Sequence, residues 1–282
     1  MDRHAWIAAI GIFVYSALAQ AAPFAMITEV KGDAWAVEGG KPRKLTLLSY
    51  IESTVEVKLE PTTKLGITYF ANGVQYSFDG PARVALDAKA PRVLEGKAAD
   101  SKKVGPDKTI SGGLSNDQWR RLQQATVVMR TVKPSFTVVG PDKTALLTRE
   151  PEFEWTPSAD AKRYRVVIYG PENQILHEAT TEQTTLQTGS AVKFESAKKY
   201  RWKVDALGVA KPVTAAGTFT VAEDAVRERM AAGRPGAGAE LAPRIFYATT
   251  LEAEGHMHDA RAEWKALSRQ FPDVPEIKQR GM

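Results

Sequence analysis

Between Ile27 and about Leu86, apolar residues recur at every second position and are interrupted by turn residues. Val55, Val57 and Leu59 alternate with charged or polar neighbours before Pro61. Leu65, Ile67 and Tyr69 alternate again, and Ala71-Asn72-Gly73 leads into Val74, Tyr76 and Phe78. Asp79-Gly80-Pro81 then precedes Val84 and Leu86. Short strands joined by Asn-Gly and Asp-Gly turns predict an antiparallel β domain over residues 26–100. Such alternation sets one face of each sheet in a core and the other in water.

A second period-two region runs over residues 135–222. Phe153 and Trp155 alternate with Glu152 and Glu154, and Tyr164, Val166 and Ile168 follow the same rule. Tyr200, Trp202, Val204 and Ala206 alternate with Lys199, Arg201, Lys203 and Asp205, and Gly217 to Val221 closes the set. About seven strands with regularly spaced turns predict a β-sandwich whose core holds Trp155, Tyr164, Tyr200 and Trp202. Between the two regions, residues 101–134 read as a linker and a helix. Ser115-Asn116-Asp117-Gln118 has the form of a capping box, and Trp119 on the helix suits docking against a β domain.

After Val221 the period becomes helical. A charged helix over 223–232 is broken by Gly233 to Ala239. Two further helices, Glu240 to Glu254 and His258 to Phe271, are separated at Gly255, and Pro272 stops the second. The expected fold class is therefore mainly β and multidomain, with a small helical hairpin in a C-terminal tail over 223–282.

The first 22 residues stand apart. Arg3 and His4 precede an apolar run from Ala5 to Ala19, and small residues follow with an A-x-A pattern. This is the form of a secretory signal peptide cleaved after Ala19 or Ala21. The run falls short of the roughly 20 apolar residues that span a bilayer, so no stable span is expected after cleavage. Arg3 and Asp2 leave together, so the net charge of +5 survives cleavage. One local basic cluster, Lys198 to Lys203, reads as a solvated strand face rather than a polyanion-binding strip. The chain has no cysteine, which excludes disulfide stapling, thiol catalysis and thiolate metal sites. An exported, disulfide-free chain fits the periplasm of a Gram-negative bacterium at least as well as a secreted eukaryotic context, and with such a leader nucleic acid is not an expected partner.

Three resemblances sharpen these expectations. The run Val30-Lys31-Gly32-Asp33-Ala34-Trp35-Ala36-Val37, with Leu47 to Ile51, Leu65 to Tyr69 and Ala71 to Tyr76, resembles the periplasmic domain of FecR-type proteins. That likeness implies an antiparallel β module with a binding role. The family's best-known members are sensors that contact an outer-membrane receptor and carry a cytoplasmic anti-sigma segment; no such segment precedes the leader here. The pattern Pro151-x-Phe153-x-Trp155, Ala161-x-x-Tyr164-x-Val166-x-Ile168, Tyr200-x-Trp202-x-Val204 resembles fibronectin type III and related immunoglobulin-like domains. Ala248, Gly255, Ala260, Trp264 and Pro272 resemble one tetratricopeptide repeat, with Arg244 at its usual tryptophan position and Leu251 replacing its tyrosine. Single repeats do not bury their own face, so the hairpin either packs on the sandwich or presents that face to a partner.

Candidate chemistry is sparse. His256 and His258 sit at a helix turn, where i, i+2 spacing does not aim both rings at one point, and an exposed polar turn is the expectation rather than a metal site. Glu152 and Glu154 share an outward strand face. No nucleophile elbow, P-loop or dinucleotide fingerprint is present, so no catalytic, cofactor-binding or metal residue is expected and no cofactor is implied. The expected function is a non-catalytic adaptor of the cell envelope that binds an envelope protein around Arg244, Tyr247, Leu251 and Trp264. The alternative is peptidoglycan or exopolysaccharide binding through Trp35, Tyr50 and Tyr69. A hydrolase is a third reading, and it requires a deep pocket holding His177 with two carboxylates.

Overall fold

The computed structural model describes residues 22–105, 113–127, 136–236 and 238–281. The leader and residues 106–112 and 128–135 lie outside them. The first region contains ten strands: β1 (Ala25–Lys31), β2 (Ala34–Glu38), β3 (Lys41–Lys44), β4 (Tyr50–Ile51), β5 (Val55–Leu59), β6 (Lys64–Tyr69), β7 (Val74–Asp79), β8 (Ala82–Leu86), β9 (Arg92–Glu95) and β10 (Asp100–Lys103). They form two five-stranded antiparallel sheets, ordered β10-β7-β6-β1-β4 and β3-β2-β5-β8-β9. The alternating residues meet between the sheets, where Ala25, Ile27, Val55, Val57, Leu59, Leu65, Ile67, Val84 and Leu86 form one core.

The expectation of one wet face holds for the sheet containing β3 and fails for the other. Ala25 through Thr28 are all fully buried, because Ala25 and Ile27 face the inner core while Met26 joins a second core shared with helices. Thr28 and Thr68 on β1 and β6 place their hydroxyls 2.8 Å apart, and Gln75 Nε2 donates to Thr28 Oγ1 at 3.3 Å. These polar groups tolerate burial because they satisfy one another.

The second region contains β11 (Val138–Gly140), β12 (Thr144–Leu146), β13 (Glu152–Trp155), β14 (Arg163–Tyr169), β15 (Ile175–Thr181), β16 (Thr185–Gln187), β17 (Lys199–Leu207) and β18 (Thr214–Val221). One sheet runs β11-β13-β16 and the other β12-β18-β17-β14-β15. The chain crosses from one sheet to the other between β11 and β12, which gives eight strands where about seven were expected. Trp155, Tyr164, Tyr200 and Trp202 are buried as expected. Phe153 packs edge-on against Trp202 at 5.0 Å, and Trp202 Nε1 donates to Pro141 O at 2.8 Å. Glu152 and Glu154 alternate with the buried Phe153 and Trp155 and so face outward.

Among the described residues there are also five α-helices: α1 (Asn116–Val127), α2 (Asp224–Ala232), α3 (Leu241–Glu254), α4 (Met257–Gln270) and α5 (Pro275–Gly281). The capping box forms, with Gln118 N donating to Ser115 Oγ and Ser115 N to Gln118 Oε1. Gly255 ends α3 in the left-handed region at φ 88°, the usual role of a glycine after a helix. Neither α5 nor β10 was expected. The linker-and-helix segment and the helical tail are also not separate units, since α1 packs on α3, α3 on α4 and α4 on α5. Trp119, Leu122, Ile245, Phe246, Ala248, Leu251, Trp264, Leu267 and Ile277 share one core with Met26, Leu47 and Phe70 of the first sandwich. Gly105 lets that approach be close, because a Cβ there would lie 2.5 Å from Phe246 Cε1. Among the described residues no helix is long and apolar enough to cross a membrane.

Candidate functional site

The helices therefore form a hub between two sandwiches, and its open side is a cleft. The cleft measures about 780 Å³ and is walled by α2, by α4 and by the Leu147–Glu150 segment after β12. Tyr247 and Leu251 of α3 lie at its apolar floor with Leu147 and Ala262. Charged side chains ring this floor, and most are held by one another. Asp224 Oδ1 accepts from Arg149 Nη2 at 2.8 Å, Arg227 Nη1 at 2.7 Å and Ser196 Oγ at 2.8 Å. Those bonds, Ser196 and Arg227 foremost, hold the Asp224 carboxyl below its ordinary value. Arg227 Nε also donates to Leu147 O at 2.9 Å, and Arg234 pairs with Glu263 at 2.5 Å.

On the opposite wall Leu147 N donates to Asp259 Oδ2 at 3.1 Å. Burial nonetheless pushes the Asp259 carboxyl above its ordinary value. Burial likewise pushes the Tyr247 phenol up to about 12, with Arg234 opposing it and Glu263 and Asp259 adding to it. A phenol this weakly acidic stays protonated, so the cleft offers a neutral hydroxyl over an apolar floor inside a ring of charges of which most are paired. That arrangement suits holding a ligand and supplies no activated nucleophile.

Of the residues expected to form a partner surface, only Arg244 stays at the surface, and it bonds Gln270 of α4. Tyr247 and Leu251 are reachable only through the cleft. Trp264 is 1% exposed, and its Nε1 donates to Glu252 Oε1 at 2.9 Å. The part of that face around Trp264 is covered from within the chain, with α5 packed on α4 and Arg280 over the Trp264 ring, which removes Trp264 as a contact for any partner.

The histidine turn also differs from expectation. His256 is 3% exposed, and its Nδ1 donates to Ala145 O at 2.7 Å. A carbonyl only accepts, so Nδ1 carries the proton. Ala145 N and Thr144 Oγ1 both donate to Gly255 O at 3.2 Å, and Arg261 of α4 reaches Val139 O. The turn is thus a strut joining the hub to β12. Among the described residues, no three His, Asp or Glu side chains converge to hold a metal.

Of the first-domain aromatics, Tyr69 is fully buried, Tyr50 is partly exposed and packs at 5.0 Å from Trp119, and Trp35 is partly exposed with Lys44 over its ring. His177 lies on β15, away from the cleft. Glu154 pairs with Lys265 at 3.4 Å.

Sequence reasoning missed Arg149, Asp224, Arg227, Arg234 and Glu263. Each reads as ordinary solvated surface, and the only trace is the charged α2 flanked by Gly233. No protein-family model and no curated protein matches the chain.

Proposed function

We propose that this protein is a non-catalytic, exported adaptor of the bacterial cell envelope, in which a helical hub fixes two β modules and presents one cleft to a segment of an envelope protein. The observation that carries the reading is the cleft itself. Its floor is apolar, most of its rim charges are held by one another, and it supplies no activated nucleophile. The leader supports export. Two five-stranded sheets joined by tight turns support a FecR-like first module, with binding rather than catalysis as its role. The three-and-five division β11-β13-β16 and β12-β18-β17-β14-β15 supports a fibronectin type III-like second module. The α3–α4 hairpin keeps the tetratricopeptide-like spacing but has the part of its open face around Trp264 covered by its own chain.

The test is a photo-crosslinking residue at Ala262, on the cleft wall, in the full-length protein expressed with its leader in a Gram-negative host. The same residue at Lys41, on exposed β3, serves as control. A discrete adduct from Ala262 and none from Lys41 is expected. Equal labelling at both positions, or none at Ala262, rules the cleft out as the partner site.

A further inference from the structure

We propose that the outer face of the sheet β12-β18-β17-β14-β15 binds an anionic polysaccharide of the uronic-acid class. The second sandwich as a whole is near neutral, with eleven Lys or Arg and ten Asp or Glu between residues 136 and 222. Its charges are segregated. Arg163 and Arg165 on β14 and Lys199, Arg201 and Lys203 on β17 all alternate with buried core residues, so all five point to the outer face. Glu178 and Asp205 oppose them there, paired with Arg165 at 2.7 Å and Lys203 at 3.1 Å, and Glu182, just past β15, continues the register opposite Arg163, so five cations face three carboxylates. Arg163 and Lys199 have no ion-pair partner among the described residues.

The register turns these cations into a line. Arg163 stands opposite Leu207, Arg165 opposite Asp205, Val167 opposite Lys203 and Tyr169 opposite Arg201, and Lys199 follows at the next outward position. Each outward rung of the ladder therefore carries one cation, at the strand repeat of about 6.7 Å, for a track of about 27 Å. Arg201 is fixed in place, with its guanidinium 4.4 Å over the Tyr169 ring and Nη2 donating to Asn173 Oδ1 at 2.6 Å. Thr218 stands beside Arg201 and Thr220 beside Lys199, which sets hydroxyls along the track at positions suited to sugar hydroxyls.

The same face discriminates among polyanions. A flexible acidic peptide loses more in ordering each residue than a solvent-exposed ion pair returns, whereas a pyranose chain has half its backbone locked in rings. Single-stranded nucleic acid needs open aromatic rings for stacking, and Arg201 already covers Tyr169. An anionic membrane would be held by apolar insertion as well as charge, and the apolar residue in the centre of the face, Val167, is 1% exposed.

The test titrates the purified protein with polygalacturonate, polyglutamate, duplex DNA and neutral dextran at 50 and 200 mM salt. Polygalacturonate is expected to bind most tightly and to weaken with salt, and dextran not to bind. Arg163→Gln with Lys199→Gln is expected to weaken polygalacturonate binding about tenfold. Lys41→Gln with Lys64→Gln removes the same charge from the first sandwich and is expected to leave binding unchanged. The assignment is overturned by no polygalacturonate binding at 50 mM salt, by equal loss in the two double variants, or by tighter binding of polyglutamate or DNA. Cleft crosslinking at Ala262 is independent of each of these outcomes.

Discussion

The two sandwiches meet the hub by different physics. The first offers a whole sheet face, and the contact is apolar: Met26, Leu47 and Phe70 enter the helical core, and Phe70 stacks on Phe246 at 5.9 Å. The second meets the hub through the edge strand β12 and through single side-chain contacts to β11 and β13, and the contact is made largely by polar atoms around Gly255, His256, Asp259, Arg261 and Lys265. Apolar burial scales with area and couples the fates of the surfaces it joins. A few hydrogen bonds fix orientation while adding little net free energy each, about 1 kcal/mol. The first sandwich and the hub are thus expected to unfold as one unit, and the second sandwich as another.

The largest expected effect breaks the apolar side of this comparison. Phe246→Ala removes a fully buried ring and should destabilise the first sandwich and hub by about 3–5 kcal/mol. The second sandwich should keep its midpoint. Denaturant unfolding followed on each module separately checks this, and a shared loss in both modules defeats the two-unit picture.

A slightly smaller effect is expected at a buried ion pair of that junction. Arg280 Nη1 donates to Glu252 at 3.1 and 3.2 Å with both side chains under a tenth exposed, and Arg280 Nη2 donates to Tyr50 Oη at 3.4 Å. Burial pushes the Glu252 carboxyl up against the pull of Arg280. Arg280→Met leaves that carboxylate with the Trp264 Nε1 bond but no counter-charge and should cost about 3 kcal/mol, while Glu252→Leu with Arg280→Met should recover part of the loss, the Trp264 N–H then being left unpaired. Unfolding free energies of the three proteins decide it.

The same contrast explains what could be read in advance. Alternation placed Val55, Val57, Trp155 and Trp202 inward because burial on one face imposes period two on the sequence directly. Helix ends near Asn116, Glu254 and Gln270 were legible through Ser115, Gly255 and Pro272. The strand Asp100–Lys103 has no apolar residue, and the seven-residue α5 buries only Ile277, so neither leaves a periodic trace. The hub was illegible for a different reason. Periodicity shows that the apolar side of α3 needs cover, but not that part of the cover comes from α1, more than a hundred residues earlier. The Asp224 cluster draws on three separate segments, and each of its charges alone resembles solvated surface.

On the polar side, His256→Ala removes the bond to Ala145 O and leaves a buried carbonyl unpaired. A loss of about 1–3 kcal/mol is expected, read as faster hydrogen exchange in β12 with β1 and β6 unchanged. His258 sharpens the same interface through pH. Burial holds its imidazole below the ordinary value of 6.5, Arg261 and Lys265 act in the same sense, and Glu154 opposes them. The folded state then binds fewer protons than the unfolded chain, so this stability is complete above pH 6.5 and is lost as pH falls through the folded value. Asp259, whose carboxyl is pushed up, acts in the opposite sense. The difference between the protein and His258→Gln isolates the histidine: wild type should lose stability faster on acidification between pH 7 and 5, and parallel curves would remove His258 from the interface.

The smallest expected effect concerns the cleft, which belongs to neither kind of contact. Tyr247 Oη has no hydrogen-bond partner among the described residues, and burial of the phenol is what lifts it to about 12. Tyr247→Phe removes a hydroxyl that the fold does not use, so stability should change by less than about 0.5 kcal/mol. Any ligand that accepts or donates a hydrogen bond at the cleft floor would lose that contact. A variant with unchanged unfolding and weakened crosslinking at Ala262 therefore assigns the hydroxyl to recognition. Equal crosslinking leaves recognition to the apolar floor of Leu251 and Leu147, and a large loss of stability would mean that Tyr247 belongs to the hub core rather than to the site.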